Sequence, residues 1–304
     1  MFYLKLIRPL NLLLIIVMLV VFKYGFLAPL DVQVALGNLD FSLLVIATVC
    51  IAAGGNVIND LFDVPIDTIN KPEKVIIGKH ISDKQANIFF IVLNVIGVGC
   101  GFLLANRLNN PSLAIIFIGV SALLYIYASY LKSLLFIGNI VISFLVALVA
   151  ILLIIFDILP AIDTDNMDMQ VTSAGVLLQY AGFAFVINLI REIVKDIQDV
   201  NGDKNGGRGT LPIAIGRKRA VKVVFALGAL SVAGVIYYMY QVLYSHQTIA
   251  TYFLILILAP LLFFCIKAWN GTHDKDFKLL SILLKGILFL GICSILFYPE
   301  VILN

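Results

Sequence analysis

Nine stretches of this chain are apolar for long enough to cross a bilayer, and they leave it few other ways to fold. They lie at roughly 10–29, 42–59, 86–105, 112–130, 136–156, 174–190, 220–241, 249–268 and 279–297. A helix needs about 20 apolar residues to span the hydrocarbon core. In lipid, every backbone N–H and C=O must be bonded inside the protein. Apolar runs without strand-like alternation therefore predict an all-α polytopic membrane bundle of nine transmembrane helices. Composition agrees: 62% of the 304 residues are hydrophobic and 13% charged, against about 25% charged in ordinary soluble domains.

The charges are sorted between the two sides. With the N-terminus inside, all the lysines and arginines except Lys23 and Arg107 fall at inner ends and loops. Asp31, Asp40, Asp157, Asp163, Asp165 and Asp168 then lie outside, and "DILPAIDTDNMDMQ" reads as a solvated acidic outer loop. The positive-inside rule predicts a cytoplasmic N-terminus in the plasma (cell inner) membrane. Lys5 and Arg8 precede the first run as in a signal peptide, but no small-residue cleavage site follows, so a retained span is expected. Cys50, Cys100, Cys265 and Cys293 all sit in apolar runs with no CxxC pair. They read as packing residues, and the three scattered histidines form no ligand spacing. Nothing points to nucleic acid or to a protein partner, and 1–304 is expected to form a single intramembrane domain.

The polar residues are patterned too. In "GNVINDLFDVPIDTINKPEK", residues 55–74, Asn56, Asp60, Asp63 and Asp67 step by four, three and four. At about 100° per residue they share one helix face. Pro65 is expected to kink or end that helix near Val64. The pattern returns in "NLIREIVKDIQDVNGDKNGGRGTLP", where Glu192, Asp196, Asp199 and Asp203 step identically and Asn188 extends the face. Both stripes sit where a span leaves the lipid, on the side expected to be cytoplasmic. A charge at mid-membrane costs about 2.5–3.5 kcal/mol on insertion scales, and neighbouring carboxylates repel. Such crowding calls for cations. Carboxylate oxygens with partial hydration suit Mg²⁺, which binds through one or two carboxylates plus substrate phosphates. The stripes therefore read as two Mg²⁺ clamps facing one central cavity, open to the cytoplasmic side, with a polyphosphate between them.

These residues resemble a known family. "NDLFDVPID" is similar to the NDxxDxxxD signature of UbiA-type intramembrane prenyltransferases, and "DIQDVNGD" to their second aspartate-rich motif. "RPLN" at Arg8–Asn11, "YIYASYLKSLLFIGN" and "GDKNGGRGTLPIAIG" extend the resemblance over essentially the whole chain. Within the superfamily, "REIVKDIQDVNGDKNGGRGTLP" looks most like the branch of geranylgeranylglyceryl phosphate geranylgeranyltransferases, which make ether lipids.

The resemblance implies an enzyme that transfers a prenyl group from a prenyl diphosphate and releases pyrophosphate. It implies two Mg²⁺ ions bridging the diphosphate, one on Asp60, Asp63 and Asp67, the other on Asp196, Asp199 and Asp203. By family position, Arg8, Lys74, Lys132 and Arg208 complete the diphosphate cradle, with Asn56, Asn59, Tyr127 and Tyr130 as further contacts. Lys71, Arg191 and Lys195 flank the motifs. The "GDKNGGRG" run is expected to be a mobile loop that closes over the cavity, and the spans from 220 to 297 to form the wall around the prenyl chain. The favoured acceptor is geranylgeranylglyceryl phosphate. The runner-up is an aromatic acid of quinone biosynthesis, and a cation transporter is the reading from another class. Transport needs acids continuing toward the far side, and the outward halves of the spans lack them.

Overall fold

The structure is a computed structural model and describes residues 2–271 and 273–303, apart from the side chain of Lys74. Among the described residues there are nine helices that can cross a membrane: α1 (Pro9–Leu30), α2 (Asn38–Asn70), α3 (Asp83–Arg107), α4 (Pro111–Ser129), α5 (Ile137–Ala161), α6 (Met167–Asn205), α7 (Arg217–Leu243), α8 (Gln247–Asn270) and α9 (Asp274–Leu303). Each coincides with an apolar run of the sequence. The chain is an integral, multi-pass membrane protein.

The two longest helices overshoot the bilayer furthest. α2 has 33 residues and α6 has 39, so they extend about 50 and 58 Å against a hydrocarbon core of about 30 Å. The extra turns carry both acidic stripes, which are therefore held on rigid helix rather than on loops. Pro65 does not end α2, contrary to the sequence expectation, for the helix runs on to Asn70. Pro65 lies on an exposed face, while the next residue, Ile66, is buried. Packing on either side carries the helix across the missing hydrogen bond.

α2 packs along α3 and against α4, α6 packs against α5 and α9, and α2 and α6 also touch each other. The α2–α3 contact depends on a small residue, as close helix pairs in lipid do. A Cβ on Gly97 would stand 2.7 Å from Ile51 and 3.1 Å from the Ala47 carbonyl. On the motif side a small core of Leu6, Val57, Ile77, Ile81 and Ala86 seats the N-terminal segment against α2 and α3. Ser82 and Gln85 form a capping box that starts α3.

At the opposite end, Lys23 and Asp157 are drawn inside. The Lys23 ammonium donates to Asp157 at 2.7 Å and to the Leu36 carbonyl at 2.8 Å, and the Leu36 N–H donates to Asp157 at 2.8 Å. Asp157 is wholly buried. It thus belongs to α5 and not to a solvated loop, and it holds the 31–37 connection over that end of the bundle.

Candidate active site

The site is built from the motif-side ends of α2 and α6. On α2, Asp60 is paired with Arg8 and Asp63 with Arg208. Lys132 donates to Asp63 at 2.6 Å and to the Asn59 side-chain oxygen at 3.2 Å. Asn59 donates to the other Asp63 oxygen at 2.8 Å. On α6, Asn139 of α5 donates to Asp196 at 2.8 Å, Lys71 to Asp199 at 2.6 Å and Arg208 to Asp203 at 3.1 Å. Glu192 accepts from Lys195 at 2.6 Å and from Arg191 at 3.2 Å. Burial and the neighbouring Arg208 hold the Lys132 ammonium below the ordinary lysine pKa, although Asp63 opposes them. The two stripes face each other, and basic side chains from three loops reach between them.

These groups surround a polar cavity of about 660 Å³ that contains all six aspartates. A second, apolar cavity of about 320 Å³ runs deeper between the helices, past Leu124, Val149 and Phe183. Arg8, Asn59, Tyr127, Glu192 and Lys195 line both, and so form the throat that joins them. A charged headgroup fits the first space and a hydrocarbon chain the second.

Most of the residues singled out in the sequence meet here: the six aspartates, Asn59, Arg8, Tyr127, Lys132 and Arg208. Others do not. Asn56 lines only the apolar cavity, and its amide is engaged by the Ile7 carbonyl at 3.0 Å; it braces the segment before Arg8. Tyr130 is 59% exposed and lines neither cavity, because the chain leaves the helix at this residue, with φ −140°. The side chain of Lys74 lies outside the described residues. The glycine-rich segment is held down: α6 continues to Asn205, and the Gly209 N–H donates to the Ser133 carbonyl at 2.9 Å. Gly202 lets Asn70 approach α6. The Asn70 amide bonds both the Gly202 N–H at 2.8 Å and the Asp199 carbonyl at 3.0 Å, and a Cβ there would lie 2.2 Å from its nitrogen. Of the last three spans only α9 lines the apolar cavity, which α1, α2, α4, α5 and α6 otherwise enclose. α7 and α8 are not its wall.

Sequence reading missed Asn139, which orients Asp196. A lone asparagine in an apolar run was the available signal. Lys285 was counted only as an inner-side charge, yet it lines the apolar cavity and donates to Asn11 at 2.7 Å.

The donor chemistry fits Mg²⁺. Among the described residues no three side chains are gathered into a closed metal cage, but Mg²⁺ takes only one or two carboxylates and leaves other positions to phosphate and water. The Asp67 carboxylate has no hydrogen bond or ion pair among the described residues and faces the polar cavity. The other aspartates are balanced by lysine, arginine and asparagine, groups that can also donate to phosphate.

The model of the UbiA prenyltransferase family matches residues 11–292. The chain belongs to that family. It is a prenyltransferase. The digeranylgeranylglyceryl phosphate synthase of Methanopyrus kandleri is 36% identical over 227 residues, 74% of either chain. A solved digeranylgeranylglyceryl phosphate synthase structure superposes with a TM-score of 0.59 at 25% identity, covering 97% of this prenyltransferase and 98% of that chain. A UbiA homologue from Archaeoglobus fulgidus, solved with DMAPP and Mg²⁺, has a TM-score of 0.57 at 18% identity, covering 97% and 99%. The last likeness is one of fold: a helical membrane bundle.

Proposed function

We propose that this prenyltransferase moves a geranylgeranyl group from its diphosphate to the free hydroxyl of geranylgeranylglyceryl phosphate. The observation that carries the reading is the throat: two facing acidic helices enclose a polar cavity that opens directly into an apolar one. The identity to digeranylgeranylglyceryl phosphate synthases supports the acceptor. Residues 1–304 act as one unit, with the motif side facing the cytoplasm of a plasma membrane.

In the reaction the bond between prenyl C1 and the diphosphate oxygen breaks, and its electron pair leaves with pyrophosphate. The acceptor hydroxyl oxygen then bonds to C1, and its proton passes to the released pyrophosphate. Asp60, Asp63 and Asp67 would hold one Mg²⁺ and Asp196, Asp199 and Asp203 another. When bound, the ions neutralise the leaving pyrophosphate as Lewis acids. This chain's own groups do the rest. Lys71, Lys132 and Arg208 donate to phosphate oxygens. Arg8 fixes the donor at the throat. Tyr127 lines the throat, where its ring face would favour a cation. The apolar cavity takes the prenyl chain and excludes the water that would quench an allylic cation.

The test is transfer by the purified protein in detergent. Labelled geranylgeranyl diphosphate is offered, with and without Mg²⁺, to geranylgeranylglyceryl phosphate, 4-hydroxybenzoate and dihydroxynaphthoate. A Mg²⁺-dependent ether product with the first alone is expected. A product with an aromatic acid instead would overturn the acceptor assignment.

A further inference from the structure

The diphosphate cradle leaves one cluster of charge unused. Arg191 and Lys195 of α6 and Lys285 of α9 converge on the inner side of the throat, with Glu192 as the carboxylate among them. Arg8 also acts on Glu192, but is itself paired with Asp60. Lys285 stands within electrostatic reach of Arg191, like charge against like, with its ammonium on the neutral Asn11. Among the described residues, Arg191 Nε is buried and without a hydrogen-bond partner. Three cations stand around Glu192, with Asp196 also within electrostatic reach of Lys195, and the cluster keeps an excess of positive charge.

Such a surplus is costly where it sits. Lys285 is eleven residues into a helix that starts at Asp274, about 16 Å along its axis, and lines the apolar cavity rather than the mouth. Ionisable groups at such depth pair with one another or mark a ligand path. Lys278 and Ser281 precede Lys285 on the same face of α9 and line the polar cavity, so this face leads inward from the mouth.

Resting on the acceptor reading above, we infer that Arg191, Lys195 and Lys285 form a second anion site, which takes the phosphomonoester of the acceptor. A phosphomonoester carries close to two negative charges near neutral pH and so offsets more of the surplus than a carboxylate, which carries one. Arg191 supplies the directional fork and the two lysines point charge. The site is separate from Lys71, Lys132 and Arg208, which pair with Asp199, Asp63 and Asp203 and line only the polar cavity. With the phosphate seated there, the acceptor's hydroxyl lies in the throat between the two headgroups, and its hydrocarbon chain follows the apolar lining. The cluster thereby selects the acceptor by its phosphate.

The experiment compares geranylgeranylglyceryl phosphate with phosphate-free geranylgeranylglycerol as acceptors, for the wild type, Arg191→Gln and Lys285→Gln. The wild type is expected to prefer the phosphorylated acceptor by at least about a hundredfold in kcat/KM, and each variant to lose about tenfold or more of that preference. KM for geranylgeranyl diphosphate should stay within about twofold, and Arg191→Lys should restore part of the preference. Glycerol 1-phosphate should inhibit the wild type competitively against the acceptor and not the donor, which tests the site even if a variant fails to fold. Wild-type transfer with the preference intact in both variants, or glycerol 1-phosphate competing with the donor alone, overturns the anion site and leaves the reaction standing. No wild-type transfer to geranylgeranylglyceryl phosphate overturns both.

Discussion

The Arg208 guanidinium donates to Asp63 across 145 positions of sequence, and its other nitrogen reaches Asp203 at 3.1 Å. One side chain thus ties the first acidic helix to the second at the cavity mouth. With the carboxylates engaged by Mg²⁺ as proposed, the same fork would be free to donate to phosphate. Arg208→Ala should therefore raise KM for the prenyl diphosphate at least about tenfold, the loss of a charge-assisted hydrogen bond. Arg208→Lys should recover only part of this, since the fork is lost. Steady-state kinetics with the donor varied checks both.

Asp60 and Asp196 stand on opposite helices facing the same cavity. Asp60→Ala and Asp196→Ala should each abolish measurable transfer, as should removal of Mg²⁺ by a chelator, with activity returning when Mg²⁺ is restored to the wild type. The variants should still elute as monodisperse membrane protein from a sizing column. Full activity in either would mean that the two helices do not act on one diphosphate.

Asn139 contributes no charge, yet it donates to Asp196 at 2.8 Å from the neighbouring α5. Its backbone carbonyl accepts from Ser143 Oγ one turn on, at 2.6 Å. Groups that orient a metal-binding carboxylate typically carry 10–100-fold in metal affinity or activity. Asn139→Ala should accordingly raise the Mg²⁺ concentration needed for half-maximal rate about tenfold, with a smaller change in donor KM at saturating Mg²⁺. A Mg²⁺ titration of initial rates separates the two.

The spans and the acidic stripes were legible because physics leaves them little freedom. Lipid demands closed backbone hydrogen bonding, and a helix repeats its face at fixed steps. Asp60, Asp63 and Asp67 face the cavity together because α2 continues unbroken past Pro65. The same reasoning fails where the helix stops. Tyr127 is still in α4 and faces inward, while Tyr130 has left it and faces out. It fails again where a partner comes from a distant helix, as Asn139 does for Asp196. Asn56 shared the stripe's periodicity but lies deeper, where its amide donates to the Ile7 carbonyl.

Lys23 and Asp157 show how far a side assignment can be from an environment. Charge counting puts both on the outer side; they lie at the end of the bundle remote from the acidic stripes, packed inside the protein and 134 positions apart. The Lys23 ammonium also lies 5.2 Å from the centre of the Phe41 ring. Removing one member leaves the other charged and dry, which costs about 3–5 kcal/mol for a buried pair. Lys23→Met should therefore lower the thermal unfolding temperature in detergent markedly. Lys23→Met with Asp157→Leu should recover much of the loss, because an apolar pair of similar volume removes the unpaired charge. Donor and acceptor KM should be unchanged in whatever fraction remains folded, since the pair sits at the end of the bundle remote from both acidic stripes. Unfolding curves of the two variants decide the matter: a double variant no more stable than Lys23→Met would show that hydrogen bonding of Asp157 to the Leu36 N–H, and not charge balance, holds this end of the bundle closed.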